Sequence, residues 1–305
     1  MGGLTTLSLR FNSYSMGALR DQDKLMPNNE SEIRALILLL SETAPKNLEV
    51  IRNRLIELRE SALPILKETL LDGKSHNHIF VTSMLEEIRL SALIDRWIHF
   101  ASGTDPLDLE IGSFLYAEYH HPELNTGHYR KLLDQWASEI SRLIASRESG
   151  QKPNQIFLNY LFQSLAFKGN RTEYYLAQNS YLPDVMDSRL GLPITLSVIL
   201  LLLAGRTGHR FFPIGMPGHF IVKYEDHGES FFVDSFDGGK ILTQQDCINF
   251  LTQSGYGYRE EYLQVISTRF ILERMLRNLV TVYSQTGHQP GVQFMTRLIE
   301  ILREY

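Results

Sequence analysis

The stretch that decides the fold covers residues 188–224 and reads SRLGLPITLSVILLLLAGRTGHRFFPIGMPGHFIVKY. Its centre, Leu192–Gly205, is almost wholly apolar. It is nevertheless shorter than the span of about 18 apolar residues that crosses a membrane. We therefore predict a helix that is buried on all sides in the core of a sizeable domain. His219 follows it, at the start of a segment rich in strand-forming residues.

Three short segments after this helix predict a small antiparallel sheet. They read RFFPIG at 210–215, HFIVKYE at 219–225 and SFFVDSF at 230–236. All three are rich in Phe, Val or Tyr, and turn residues separate them. Helical patterns fill most of the chain before and after this region. Because helices and strands are segregated along the chain, we predict a mostly helical α+β fold.

His219 and Asp234 are placed to form a pair across the last two strands. Residues two apart in a strand share a face. If the hairpin pairs residue 225 with 228 or with 230, His219 lies opposite Asp234 or one pair along. Such neighbours are about 5 to 8 Å apart, so the carboxylate reaches the ring. The carboxylate then fixes the tautomer and leaves the other nitrogen free as a base. A purely structural His–Asp pair fits the same spacing.

Thr195 and Ser197 are the hydroxyls nearest to the start of the buried helix. A reactive side chain at a helix N-terminus benefits from the helix dipole and from free N–H groups. The residue at this terminus is Pro193, which suits a first helical turn but carries no reactive group. Hydroxyls inside a buried helix more often bond the carbonyl one turn back. A structural role is therefore favoured for both hydroxyls.

The polar and aromatic loop before the helix supplies candidate ligand contacts. These are Asn170, Arg171, Tyr174, Asn179 and Tyr181. Polar loop residues that face a cleft are common ligand contacts. The alternative, in which the tyrosines pack the loop onto the core, fits the residues equally well.

Composition argues against several classes of function. The chain has 305 residues, a net charge of −5 and a pI near 6.1, without a basic stripe, so we expect no nucleic-acid partner. We also expect no membrane span, no metal and no cofactor, since the motifs for them are lacking. The single cysteine, Cys247, indicates a reducing compartment, and we predict a cytoplasmic location.

Three longer motifs carry a resemblance to a known family. They are FKGNRTEYYLAQNSYLPDVMDSRLGLPITLSVILLLLAGRTG from residue 167, GMPGHFIVKY from 215 and VDSFDGG from 233. In this order they resemble the transglutaminase-like core of the papain-like superfamily. The wider chain resembles bacterial SirB-type proteins, in which a tetratricopeptide-type tail follows this core. The resemblance implies a buried helix packed on a small antiparallel sheet, flanked by helical N- and C-terminal segments.

Breaks in the helical pattern then divide the chain into four predicted parts. Residues 1–28 are expected to be a poorly ordered leader, and residues 29–104 a helical, HEAT-like domain. Residues 105–267 are the predicted transglutaminase-like core. Residues 268–305 are the predicted tetratricopeptide-like helix hairpin.

The resemblance also implies a position for each member of a catalytic triad. In catalytic transglutaminase-like domains, a Cys starts the helix, a His lies on one strand and an Asp on the next. The family pattern continues to an Arg and then to a Gly fifteen residues after the Cys, which match Arg206 and Gly208 here. Counting back from Gly208 gives Pro193 at the position of the nucleophile. His219 and Asp234 match the other two members.

A His–Asp pair without its cysteine predicts a non-catalytic protein. We expect a pseudoenzyme with a binding or regulatory role and a protein or peptide partner. The alternative is an amide hydrolase or acyl transferase that uses Thr195, Ser197 or an activated water with His219 and Asp234. A third possibility is a structural scaffold, in which the pair is buried and no cleft exists.

Overall fold

The computed structural model of the chain describes residues 29–42, 45–71, 78–226 and 228–305. The predicted leader, residues 1–28, lies outside the described residues. The chain divides between Arg96 and Trp97 into two compact units. The predicted limits of the helical domain, the core and the hairpin stay predictions.

The first unit is helical throughout its described part. Its apolar residues recur at helical spacing, as at Ile33, Ile37 and Leu40, so each helix turns one face inward. These faces meet in one core that also buries Leu55 and Met84. The helices are α1 Glu30–Glu42, α2 Pro45–Glu57, α3 Arg59–Leu71 and α4 His78–Ala101, whose last residues lie beyond the division.

Eight further helices lie in the second unit, several with a side-chain cap that fixes the first residue. Asp108, Asn125 and Thr243 each accept a hydrogen bond from a backbone N–H of the turn that follows. The helices are α5 Leu109–Ala117, α6 Thr126–Ala145, α7 Pro153–Asn159, α8 Leu182–Ser188, α9 Pro193–Thr207, α10 Gln244–Gln253, α11 Thr268–Gln285 and α12 Gln289–Glu304.

Two sheets complete this unit. A short parallel pair joins β1 Lys168–Gly169 to β2 Leu190–Gly191. The larger sheet is antiparallel in the order β3-β4-β5-β6. Its register places Glu225 opposite Ser230, which is one of the two pairings predicted from the sequence. The strands are β3 Phe211–Ile214, β4 Ile221–Asp226, β5 Glu229–Asp234 and β6 Lys240–Leu242.

The predicted buried helix is α9, which packs against β3 and β4. Its residues from Pro193 to Leu200 are all buried, because apolar side chains cover every face of this half. Gly208 ends the helix with a φ of 72°, a left-handed conformation that favours glycine. Arg206 pairs with Glu110 at 2.7 Å and with Asp134 at 2.8 Å, tying the end of α9 to α5 and α6. The α+β, mostly helical class is confirmed.

The C-terminal helices α11 and α12 follow each other as a hairpin, and they pack closely on each other. Leu272, Leu276 and Leu298 are completely buried in it. Trp97 donates its indole N–H to the carbonyl of Leu298 at 2.9 Å.

Across the described ranges of the chain, we find no helix whose length and apolar character would let it cross a membrane.

Candidate functional site

A pocket of about 600 Å³ opens where five segments of the second unit meet. These segments are the loop after β1, the start of α9, the loop before β4, the stretch from the end of β5 through β6, and one face of α10. Apolar side chains form part of the wall, and polar ones form the remainder. The apolar ones are Pro193, Met216, Phe236, Leu242 and Phe250, and the polar or charged ones are Arg171, Tyr174, His219, Asp234, Asp237, Lys240, Asp246, Cys247, Asn249 and Gln253.

The predicted His–Asp pair forms and lies in the wall of this pocket. The Nε2 atom of His219 is 2.9 Å from Oδ2 of Asp234, and only 12% and 16% of their side chains are exposed. An ionised carboxylate can only accept, so Nε2 donates in this bond, and Nδ1 keeps its lone pair when the ring is neutral. The His219 ring also lies 5.4 Å from the ring of Phe250. Asp234 and Phe250 therefore contact the His219 ring on two sides and hold it in one orientation.

Asp234 also holds the turn that follows β5. Its Oδ1 atom accepts the backbone N–H of Phe236 at 2.9 Å and of Asp237 at 3.2 Å. Burial raises the pKa of Asp234, but the bond and the charge of His219 and these two N–H groups outweigh burial. Its pKa therefore lies below the ordinary value of 3.8, and the carboxylate is ionised at neutral pH.

His219 belongs to a turn rather than to the strand itself. Residues 216–219 read Met-Pro-Gly-His, and the N–H of His219 donates to the carbonyl of Met216 at 3.2 Å. Gly218 has a φ of 72°, as the third position of a type II turn requires. The strand β4 begins two residues later, at Ile221. The turn therefore places the ring one pair along from Asp234.

The start of α9 reaches the same pocket, and Pro193 lines it. Leu192 is the N-cap residue and gives no side-chain hydrogen bond to the first turn. Pro193 has a pyrrolidine ring and no backbone N–H. This corner of the pocket therefore receives neither a nucleophilic atom nor a donor from residue 193.

Thr195 and Ser197 are not in the pocket wall. Both are completely buried within α9. Ser197 donates from Oγ to Oγ of Ser235, 3.1 Å away, on the core side of the sheet. The Oγ1 atom of Thr195 has no hydrogen-bond partner among the described residues. Both hydroxyls face the interior because the first half of α9 is enclosed on all sides.

The predicted ligand contacts fall into two groups. Arg171 and Tyr174 line the pocket. Asn170, Asn179 and Tyr181 are buried instead. Asn170 donates to the side chain of Asn179 at 3.0 Å, and Asn179 donates to the carbonyl of Tyr174 at 3.1 Å. The hydroxyl of Tyr181 lies 2.6 Å from that of Tyr283. These three residues shape the loop that presents Arg171 and Tyr174.

Cys247 lines the pocket, although the sequence analysis did not predict it as a site residue. It lies on α10, on the same face as Phe250 and Leu251, and it is completely buried. Burial raises the pKa of its thiol to about 12, and the nearby carboxylates of Asp246 and Asp234 add to the effect. The thiol is therefore protonated at neutral pH and is not a nucleophile. The i, i+3, i+4 spacing of these residues predicts which face of α10 is buried, but not which part of the molecule that face contacts.

Five polar residues of the wall were also missed: Asp237, Lys240, Asp246, Asn249 and Gln253. Asp237 pairs with Arg171 at 2.8 Å and lies 4.0 Å from Lys240. All five come from the segment that follows β5. The sequence there shows a Gly-Gly turn and an amphipathic helix, but it does not show that α10 folds back beside His219.

A second His–Asp pair lies elsewhere in the same unit. The Nε2 atom of His121 is 2.7 Å from Oδ2 of Asp184, between the end of α5 and the first turn of α8. The neighbouring ring of His120 stacks on Tyr181 with a centroid distance of 5.0 Å. Within the described parts of the chain, no three His, Cys, Asp or Glu side chains are grouped to hold a metal ion.

Comparison with known proteins assigns the class of this domain. Residues 127–277 match the transglutaminase-like superfamily. This range contains α9, both sheets and every residue of the pocket wall. The second unit therefore carries a transglutaminase-like domain, as the sequence motifs predicted.

Individual relatives narrow the assignment. A UPF0162 protein of Xylella fastidiosa is 30% identical over 201 residues, which are 64% of this chain and 72% of that protein. The chain belongs to the UPF0162 protein family. Human F-box only protein 21 is 29% identical over 157 residues, but these are 47% of this chain and only 24% of that protein. The chain has no significant match among solved structures.

Proposed function

We propose that this protein binds a protein or peptide segment in the pocket and does not convert it chemically. It would be a transglutaminase-like protein in which Pro193 stands at the position of the nucleophilic cysteine. One observation supports this most strongly. The side chain that the start of α9 gives to the pocket of His219 and Asp234 is a proline, which has no reactive atom.

Pro193 removes two catalytic groups with one side chain. A thiolate is the attacking group in transglutaminase-like chemistry, and a proline ring cannot attack. A free N–H in the first helical turn is also a natural donor to a developing oxyanion, and proline lacks that N–H. Both the bond-forming atom and this transition-state donor are therefore missing from residue 193.

The other potential nucleophiles are poorly suited to replace it. The Cys247 thiol is buried and has a pKa raised to about 12. The hydroxyls of Thr195 and Ser197 are completely buried, and the Ser197 hydroxyl is engaged with Ser235. A nucleophile needs to be accessible and deprotonated or paired with a base.

The pocket suits a side chain with an apolar body and a hydrogen-bonding end. Phe236 and Phe250 supply aromatic surface, while Asn249 and Gln253 supply amide donors and acceptors. Its volume of about 600 Å³ lies within the usual range for small-ligand sites, roughly 300 to 1,000 Å³. Exposed aromatic residues also lie near this opening, including Tyr174, which is 38% exposed. Such residues are enriched where proteins meet other proteins.

One form of the alternative function, amide hydrolase or acyl transferase, has structural support. Since Nε2 of His219 is bonded to Asp234, the Nδ1 lone pair is available to accept a proton from water. In this form the pair would activate a water molecule and would need no protein nucleophile.

Panning a random-peptide display library on the full chain tests the proposal. We expect enriched peptides whose affinity falls about tenfold or more in His219→Ala, a loss typical of a well-packed contact. The matched control is His121→Ala, which removes the other paired histidine and should leave the affinity unchanged.

The fate of the enriched peptides separates binding from catalysis. We expect them to remain intact, by mass spectrometry, after long incubation with the full chain. Cleavage that disappears in His219→Ala would establish the hydrolase instead. Equal affinity for the full chain and for folded His219→Ala would show that the pocket is not where the peptides bind.

Several finer assignments belong to this proposal as well. We infer a SirB-type protein whose C-terminal hairpin is tetratricopeptide-like and whose residues 29–104 form a HEAT-like domain. We also infer a cytoplasmic location. The single cysteine supports the location, and the two-helix hairpin supports the first assignment.

A further inference from the structure

A half-buried arginine of the C-terminal hairpin reaches the turn that carries His219. Arg274 lies in the middle of α11. It donates from Nη1 to the carbonyl of Met216 at 3.1 Å and from Nη2 to the carbonyl of His219 at 3.1 Å. These carbonyls belong to the first and last residues of the Met-Pro-Gly-His turn. One guanidinium therefore holds both ends of the turn.

The contact is close and leaves little room for the turn to move. A Cβ atom placed on Gly215 would lie 3.0 Å from Nη1 of Arg274, so the arginine lies directly against the backbone. The guanidinium also lies over the ring of Phe220, 5.5 Å from its centroid. The contacts of Arg274 thus begin just before the turn and end just after it.

The donors of Arg274 are directed to carbonyls rather than to an acid. Within the described residues, no carboxylate forms a salt bridge with it. Burial lowers the pKa of the guanidinium, which is consistent with its half-buried position. A surface ion pair would not need this placement, whereas a fork with two parallel donors fits two carbonyls of one turn.

We infer that Arg274 is a positioning residue that holds the His219 ring in the pocket from the C-terminal hairpin. The turn fixes the backbone of His219 and Asp234 fixes its ring, while Arg274 fixes the turn itself. This inference rests on the proposed function for its binding consequence, but its effect on the His219 ring needs no ligand.

The chain offers a matched control on the same helix. Arg269 also donates to two backbone carbonyls, those of Leu302 at 2.9 Å and Ala101 at 3.1 Å. It is absent from the pocket wall and from the contacts of the Met-Pro-Gly-His turn. The conservative variants Arg274→Lys and Arg269→Lys keep the charge but lose the fork.

The downfield Nε2–H proton resonance of His219, assigned by its loss in His219→Ala, is the decisive measurement. We expect this resonance to broaden or disappear in Arg274→Lys and to persist in Arg269→Lys, with both variants folded. We also expect Arg274→Lys to bind the panned peptides about tenfold more weakly, the effect of one lost charge-assisted hydrogen bond.

Each other outcome has a definite meaning. An unchanged resonance in folded Arg274→Lys overturns the inference, as does an equal change in Arg269→Lys. If Arg274→Lys and Arg274→Gln both fail to fold while the Arg269 variants fold, Arg274 serves stability and the inference falls. If no peptide binds but the resonance depends on Arg274, the positioning role stands and the proposed function falls.

Discussion

The two His–Asp pairs of the second unit share the same atoms and differ in their surroundings. In each, Nε2 of the histidine meets Oδ2 of the aspartate, at 2.9 Å for His219–Asp234 and 2.7 Å for His121–Asp184. The shorter contact belongs to the more exposed histidine, which is 31% exposed against 12% for His219. The geometry of a pair therefore does not identify a site.

What separates the pairs is what else they touch. His219–Asp234 faces a pocket with a proline at a helix start, a thiol and several amides, and Asp234 also accepts two backbone N–H groups. His121–Asp184 joins the end of α5 to α8 beside stacked aromatic rings. The first pair therefore holds a turn and forms part of the pocket wall, whereas the second connects two helical segments.

The thiol beside the first pair gives the largest expected effect. A pKa of about 12 for Cys247 leaves roughly 1000-fold less thiolate at neutral pH than an ordinary thiol supplies. We expect iodoacetamide to alkylate the folded chain slower by that factor than the chain in urea, as measured by mass spectrometry. His219→Ala should not change the rate in the folded state. Rapid alkylation that depends on His219 would show an activated cysteine.

Removing each aspartate tests the comparison directly. Asp234→Ala leaves the His219 ring and two backbone N–H groups without their acceptor, so we expect a loss of about 3 kcal/mol in the free energy of unfolding. Asp184→Ala removes the acceptor of one ring, and we expect a loss of about 1 kcal/mol. Urea denaturation at pH 7 measures both. Equal losses would mean that the turn bonds of Asp234 contribute little.

Acid should remove part of the advantage of Asp234. Its pKa is lowered in the folded chain, so the unfolded chain binds the proton more readily. The stabilisation is fully present above the ordinary value of 3.8 and is lost as the pH falls through the lower, folded value. We expect the stability difference between wild type and Asp234→Asn to shrink below pH 3.8. A difference that is constant from pH 7 to pH 3 would contradict the lowered pKa.

The buried hydroxyls should show the smallest effects. Thr195→Val replaces an unpaired buried hydroxyl with a methyl group, so we expect stability to rise or to change by less than about 0.5 kcal/mol. Peptide binding should be unchanged in Thr195→Val and Ser197→Ala. Loss of binding or of any turnover in a folded variant would return these residues to the site.

The sequence predicted the elements whose signal is local. The apolar run marked α9, and the hairpin pattern left two registers for β4 and β5, both of which place His219 near Asp234 and one of which is observed. The strand β6 was missed because Lys240–Leu242 is too short to show alternation.

The rest of the site depends on tertiary contacts that leave no local pattern. Cys247 reaches the pocket because α10 folds back over the sheet. Arg274 reaches the turn that carries His219, although it lies 55 residues later in the chain.

The loop before α9 that carries Arg171 and Tyr174 shows the opposite, since residues predicted there for the site are partly buried away from it. Its residues were suitable ligand contacts by type, but Asn179 folds inward to bond the carbonyl of Tyr174, and Tyr181 folds inward to meet Tyr283 on α11.

The turn bonds of Asp234 give this residue a structural role that does not depend on catalysis. Its two bonds to the N–H groups of Phe236 and Asp237 guide the chain into β6, whatever His219 does. A lineage that loses the reaction keeps a reason to retain the aspartate, since its loss would free the turn. Drift can then erase a nucleophile and leave its former partner in place. Among descendants of such an ancestor, an aspartate at this position is evidence for the turn first, and for a reaction only second.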